Sequence, residues 1–126
     1  PKGSVLISIV RHLRVSILAI DSSFNQSVVG LQEKEKLKRY FLYPWLCREI
    51  PHLMSLRTGA QQPHINKKIV DDLVLVIPPG NLLDKYNQIM APLFEQINSN
   101  ANEKRRLIEL RDLLLPMFMS RQIKFK

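Results

Sequence analysis

Two stretches of the chain concentrate the side chains that could do chemistry. Arg11, His12 and Arg14 lie between two strand-like runs, and Arg57, Gln61, Gln62, His64, Lys67 and Lys68 lie in and just after one loop. Arg and Lys neutralise phosphates, and Gln and Arg can make paired hydrogen bonds to base edges. A loop with two adjacent Gln, a His and nearby Lys therefore holds the donors and acceptors that base reading requires. The same residues also suit a solvated polar loop, and composition alone leaves both readings open. Net charge adds weight to a polyanionic partner: the chain carries +8 with a pI near 9.9. Residues 1–79 hold eleven Lys/Arg against six Asp/Glu and residues 80–126 eight against five, so the excess is spread along the chain rather than placed in a basic tail.

Catalytic signatures are missing. No Gly-rich loop ends in Lys-Ser/Thr, and with four Gly in total there is no dinucleotide fingerprint. An Asp/Asn-Pro-Pro-aromatic tetrapeptide, needed for amino-methyl transfer, is absent, because Pro78-Pro79 follows Ile77. His12, His52 and His64 are far apart in sequence and have no partnered nucleophile. Asp71-Asp72 reads as a solvated turn beside a short helix rather than a metal pair. Cys47 is the lone cysteine, in an apolar context; it cannot form an internal disulfide, and no Cys/His spacing suits zinc. No metal or cofactor is expected. A single thiol of this kind fits a reducing compartment such as the cytoplasm. No apolar run approaches the roughly 20 residues that span a bilayer, so no membrane partner is expected.

The elements that must position these residues can be read in order. Residues 5–10 (VLISIV) and 15–20 (VSILAI) are rich in β-branched residues and predict two short strands joined by the basic turn at Arg11 to Arg14. Residues 24–31 (FNQSVVGL) predict a third strand. The alternating charges of residues 33–39, including Lys34, Lys36, Lys38 and Arg39, read as the solvated start of a helix over about residues 36–56. Pro44 and Pro51 give that helix an irregular middle, either a kink or a new helix starting at Pro44. Asn66 caps a short helix at residues 67–72. Residues 73–77 (LVLVI) predict a further strand, stopped by Pro78-Pro79-Gly80.

Residues 82–115 predict one long helix, with Asn81 as its N-cap and Asp84 favouring its positive end. At about 1.5 Å per residue it would reach roughly 50 Å. Met90, Phe94, Ile97, Ala101, Ile108, Leu115 and Phe118 recur at helical spacing, with Lys104 and Arg111 in the two positions where an apolar residue is missing. Leu93, Leu107 and Leu114 widen the stripe. Pro92 and residues 98–102 (NSNAN) are weak points; the apolar phase carries across both, and no Gly or Pro marks a hairpin turn within 98–102, which favours one continuous helix. Pro116 is expected to end it, with residues 122–126 (QIKFK) a short strand or tail. The stripe at Met90, Phe94, Ile97, Ala101, Ile108 and Leu115 either packs on a second long helix, as in a coiled coil, or covers its own head; length favours the first. The fold expected is mixed α+β: a head of short strands and helices over residues 1–79, followed by a long helix and tail over 80–126. The start at Pro1, without a Met, suggests a piece of a longer or processed protein.

The order of parts carries a resemblance. Gly59-Ala60-Gln61-Gln62, then Ile65-Asn66, then a run ending Val76-Ile77-Pro78-Pro79, then a long helix, then Leu114-Leu115-Pro116 resembles the specificity subunit of type I restriction–modification systems. The VLISIV run and Phe24-Asn25-Gln26 fit the later half of a target recognition domain in that family. The resemblance implies a non-catalytic subunit that reads part of a split target in double-stranded DNA. It implies long helices that form a coiled-coil spacer, and docking to methyltransferase subunits and through them to restriction subunits. A homodimer through the long helix is a further expected partnership. The residues also admit a plainer alternative, a helical interaction module that binds no DNA.

Overall fold

A computed structural model of the protein describes residues 1–58 and 64–120. Three short strands, β1 (Val5–Ser8), β2 (Val15–Ile17) and β3 (Val28–Leu31), form an antiparallel sheet in the order β2-β1-β3. The hairpin predicted around the basic turn is present: Val5 pairs with Ile17 and Ile7 with Val15. On the other side of β1, Ile7 pairs with Val29. Three helices follow: α1 (Arg39–Ser55), α2 (Lys67–Asp71) and α3 (Gly80–Met119). The fold is α+β. The chain divides into two units, Pro1–Ala91 and Pro92–Lys126, so the first three turns of α3 belong with the strands.

In the first unit, alternation along β1 turns Val5 and Ile7 inward, and both are fully buried. Leu42, Leu46 and Leu53 lie on one face of α1 and close over them with Ile65 and Val70. Each such side chain stabilises the fold by roughly 1.5–3 kcal/mol.

Several elements differ from the sequence reading, each for a local reason. β3 starts at Val28 rather than Phe24, because the Asn25 side chain accepts the Ser27 N–H at 3.0 Å and its carbonyl accepts the Val28 N–H at 3.2 Å, which makes a turn. Residues 33–38 are not helical. Lys34 and Leu37 exchange backbone hydrogen bonds, and Glu35 takes a φ of 38° between them. Glu33 reaches past this turn to cap α1, its carboxylate accepting the Arg39 N–H at 2.8 Å and Nε at 3.0 Å. α1 itself is one helix that includes Pro44 and Pro51.

Residues 73–77 are not a strand. Their side chains alternate, Leu73 and Leu75 packing on the core while Val74 and Val76 are 82% and 80% exposed. A ladder also needs a neighbouring strand, and among the described residues none pairs with this run. α3 begins at Gly80: the Pro79 carbonyl accepts the N–H of Leu82 and Leu83. Asn81 bonds the adjacent Leu82 N–H rather than a later turn, and Asp84 pairs with Lys36 at 2.6 Å. The helix continues through Pro92 and residues 98–102, as predicted, and passes Pro116 to reach Met119, because the Pro116 carbonyl still accepts the Ser120 N–H. The tail at residues 122–126 lies outside the described residues.

Candidate nucleic-acid interface

The basic turn leaves the sheet where β1 ends. The Ser8 N–H donates to the Arg14 carbonyl at 3.0 Å and closes the hairpin. Beyond it, the Ile9 N–H turns to Ser27 while the Ile9 carbonyl accepts the Ile65 N–H, at 2.9 and 3.0 Å. The chain then enters the turn at Arg11, whose φ of 61° is left-handed. That conformation costs a non-glycine residue roughly 1 kcal/mol. Arg11, His12 and Arg14 are all exposed.

The second stretch is held against the first. Thr58 and His64 exchange both backbone hydrogen bonds at 3.0 Å, an isolated antiparallel bridge that serves as a short stem. His64 also bridges to Val10, next to Arg11. Arg57, at the foot of the stem, donates from Nη2 to the Arg11 carbonyl, and its Nε is buried. Fully buried Ile65 anchors the end of the stem in the core, and Asn66 then caps α2 by accepting the Lys68 N–H at 3.2 Å. This places Lys67 and Lys68, both exposed, within four residues of His64.

Tertiary structure thus joins Arg11, Arg57 and His64, which are separated by up to 53 positions in the sequence. His12 and Arg14 follow from the hairpin, and Lys67 and Lys68 from the capped helix. Gln61 and Gln62 lie outside the described residues. Exposed guanidinium and ammonium groups on hydrogen-bonded turns suit contact with phosphates, and His64 has the donors and acceptors for a base edge.

Sequence reasoning did not find a cleft of about 680 Å³ lined by Lys34, Glu35, Lys36, Leu37, Ile77, Pro78, Gly80 and Leu83. It depends on the turn at residues 34–37 having replaced the predicted helix start, and no local signal announces that.

In the helix stripe, Met90 and Phe94 are half-buried, while Ile97 is 62%, Ile108 39% and Leu115 53% exposed; Ala101 is exposed as well. Leu83, four and seven positions before Asn87 and Met90, is buried and continues the stripe to the start of α3. No described helix is long and apolar enough to cross a membrane.

In this chain a hairpin turn and a loop stem are pinned together within a small α+β unit, and a long helix follows in sequence. Residues 1–111 match the family described as Type I restriction modification DNA specificity domain, and the chain belongs to it. Among its relatives is the Type I restriction enzyme MjaIX specificity subunit of Methanocaldococcus jannaschii, 32% identical over 107 residues, covering 85% of this chain and 22% of that protein. The Type I restriction enzyme HindI specificity subunit of Haemophilus influenzae is 25% identical over 129 residues, covering 98% of this chain and 28% of that protein. The chain spans about a quarter of the length of these curated relatives.

Proposed function

We propose that the protein reads part of a split target in double-stranded DNA as a non-catalytic specificity element of a type I restriction–modification complex. Residues 1–79 act as part of a target recognition domain. Arg11, His12, Arg14, Arg57, Gln61, Gln62 and His64 are the candidates for DNA contact, with Lys67 and Lys68 on phosphates. The observation that carries this reading is that Arg57 donates to the Arg11 carbonyl and His64 bridges to Val10, so that the two stretches of basic residues meet, in a chain of the DNA specificity family. Residues 80–126 act as a coiled-coil spacer. Their exposed stripe takes a second long helix, that of another copy or of another part of the subunit, and docks methyltransferase subunits and through them restriction subunits.

Salt titration of binding to a pool of duplexes tests the DNA reading. Affinity should fall steeply with salt, and Lys67→Ala and Lys68→Ala should each reduce the slope of log affinity against log salt by about 0.9. Salt-insensitive binding, or none, would sink it.

A second reading is favoured by the exposure of Ile97, Leu107 and Leu113 at 62%, 59% and 63%: a helical interaction module without a DNA role. It predicts that the same substitutions change nothing.

A further inference from the structure

Of the described residues assigned to DNA contact, Arg57 alone is half-buried; Arg11, His12, Arg14, His64, Lys67 and Lys68 are exposed. Its Nη2 donates to the Arg11 carbonyl at an exposed position, and its Nε is shielded from solvent. A guanidinium committed to a carbonyl has lost part of the fork that reads guanine or grips phosphate. What it holds is the residue of the turn with left-handed backbone, Arg11 at φ 61°. On either side, His64 bridges to Val10 and Ile65 bonds to Ile9. Arg57 therefore links the Thr58–His64 stem to the β1–β2 turn.

We propose that Arg57 is a positioning residue for DNA reading: it clamps the β1–β2 turn to the loop stem so that Arg11 and His12 meet the duplex in fixed register with His64. This rests on the DNA-reading function proposed above. A charge-assisted bond to a carbonyl suits the task, because it ties the turn to the loop stem at Arg11 itself.

Two measurements test the clamp. Without DNA, Arg57→Ala should speed amide exchange of residues 9–14 on the order of tenfold, the scale of one charge-assisted hydrogen bond, and Arg57→Lys should give an intermediate rate. Unchanged exchange overturns the proposal. With DNA, duplexes enriched by the wild-type protein from a random pool are compared with unselected ones. Arg57→Ala should cut the affinity ratio between them on the order of tenfold and leave the salt slope unchanged. The loss caused by Arg11→Ala should largely vanish in the Arg57→Ala background, because the two act as a unit. Arg57→Lys, which keeps the charge, should show an intermediate ratio and carries the test should the alanine variant fail to fold. A slope reduced by about 0.9, with equal losses on both duplexes, makes Arg57 a phosphate contact and overturns the clamp. A wild-type protein that enriches no sequence overturns the proposed function; faster exchange in Arg57→Ala would then reduce the clamp to a structural contact.

Discussion

The Tyr86 hydroxyl donates to the Tyr40 carbonyl at 3.1 Å, and Tyr40 stands four residues before Pro44. In an α-helix that carbonyl would accept the N–H of residue 44, which proline lacks. Tyr86, from the first turns of α3, supplies the missing donor. Its ring meets Phe41 edge to face, with centroids 5.8 Å apart and planes at 85°. The defect that proline leaves in α1 is thus the point at which the start of α3 is fastened to it.

Removing the hydroxyl exposes this dependence. Tyr86→Phe should destabilise the protein by about 1 kcal/mol, the scale of one hydrogen bond. In a Pro44→Ala background the new backbone N–H serves the Tyr40 carbonyl, and the Tyr86→Phe cost should shrink. Urea midpoints of the four proteins in the cycle measure it.

Alkaline pH should act through the same contact. Burial pushes the Tyr86 hydroxyl above the ordinary tyrosine value, and burial with a smaller effect from Cys47 does the same to Tyr43. A raised folded-state value means that the native state holds the proton more tightly, so the stability is fully present below about pH 10 and is lost as pH rises above it. Tyr86→Phe should flatten part of that decline in thermal melts taken across this range.

The Asn66 cap should matter more than its exposure suggests. Asn66→Ala removes the acceptor for the Lys68 N–H and should cost roughly 1 kcal/mol. Because α2 carries Lys67 and Lys68, DNA affinity should also weaken. Chemical denaturation and a binding titration on the same variant report the two effects.

Gly3 has a φ of 89°, and a Cβ there would stand 2.8 Å from the Arg39 guanidinium. Arg39 is in turn held by Glu33 at 3.0 Å. Gly3→Ala should therefore destabilise by more than about 1 kcal/mol. A lowered melting temperature checks it.

The exposed stripe of α3 has its own test. Ile97→Glu combined with Ile108→Glu should convert any self-association to a monomer in analytical ultracentrifugation. The melting of the first unit should be unchanged, since neither residue belongs to it.

Much of this architecture was legible because it is written in short-range pattern. The β-branched runs around Arg11 to Arg14 determined a hairpin, and Asn66 determined the start of α2. The apolar phase carried from Met90 to Ile108, with Lys104 as a gap, determined one long helix across residues 98–102. These are period and capping signals, and neighbours within a few residues decide them. The candidate residues were legible as types, and the resemblance named their setting. Partners from distant parts of the chain were not legible. Residues 73–77 have the alternation of a strand, yet a strand exists only where another edge pairs with it. Pro44 looked like a break until Tyr86, 42 positions later, filled its missing bond. Arg57 was legible as a candidate for DNA contact, but its bond to the Arg11 carbonyl was not, because only folding brings the two together. The sequence by itself determined which residues could form the elements and carry the charge. Only tertiary structure decided which donors are already committed inside the protein, because a hydrogen bond depends on two groups meeting in space and the sequence specifies only one of them at a time.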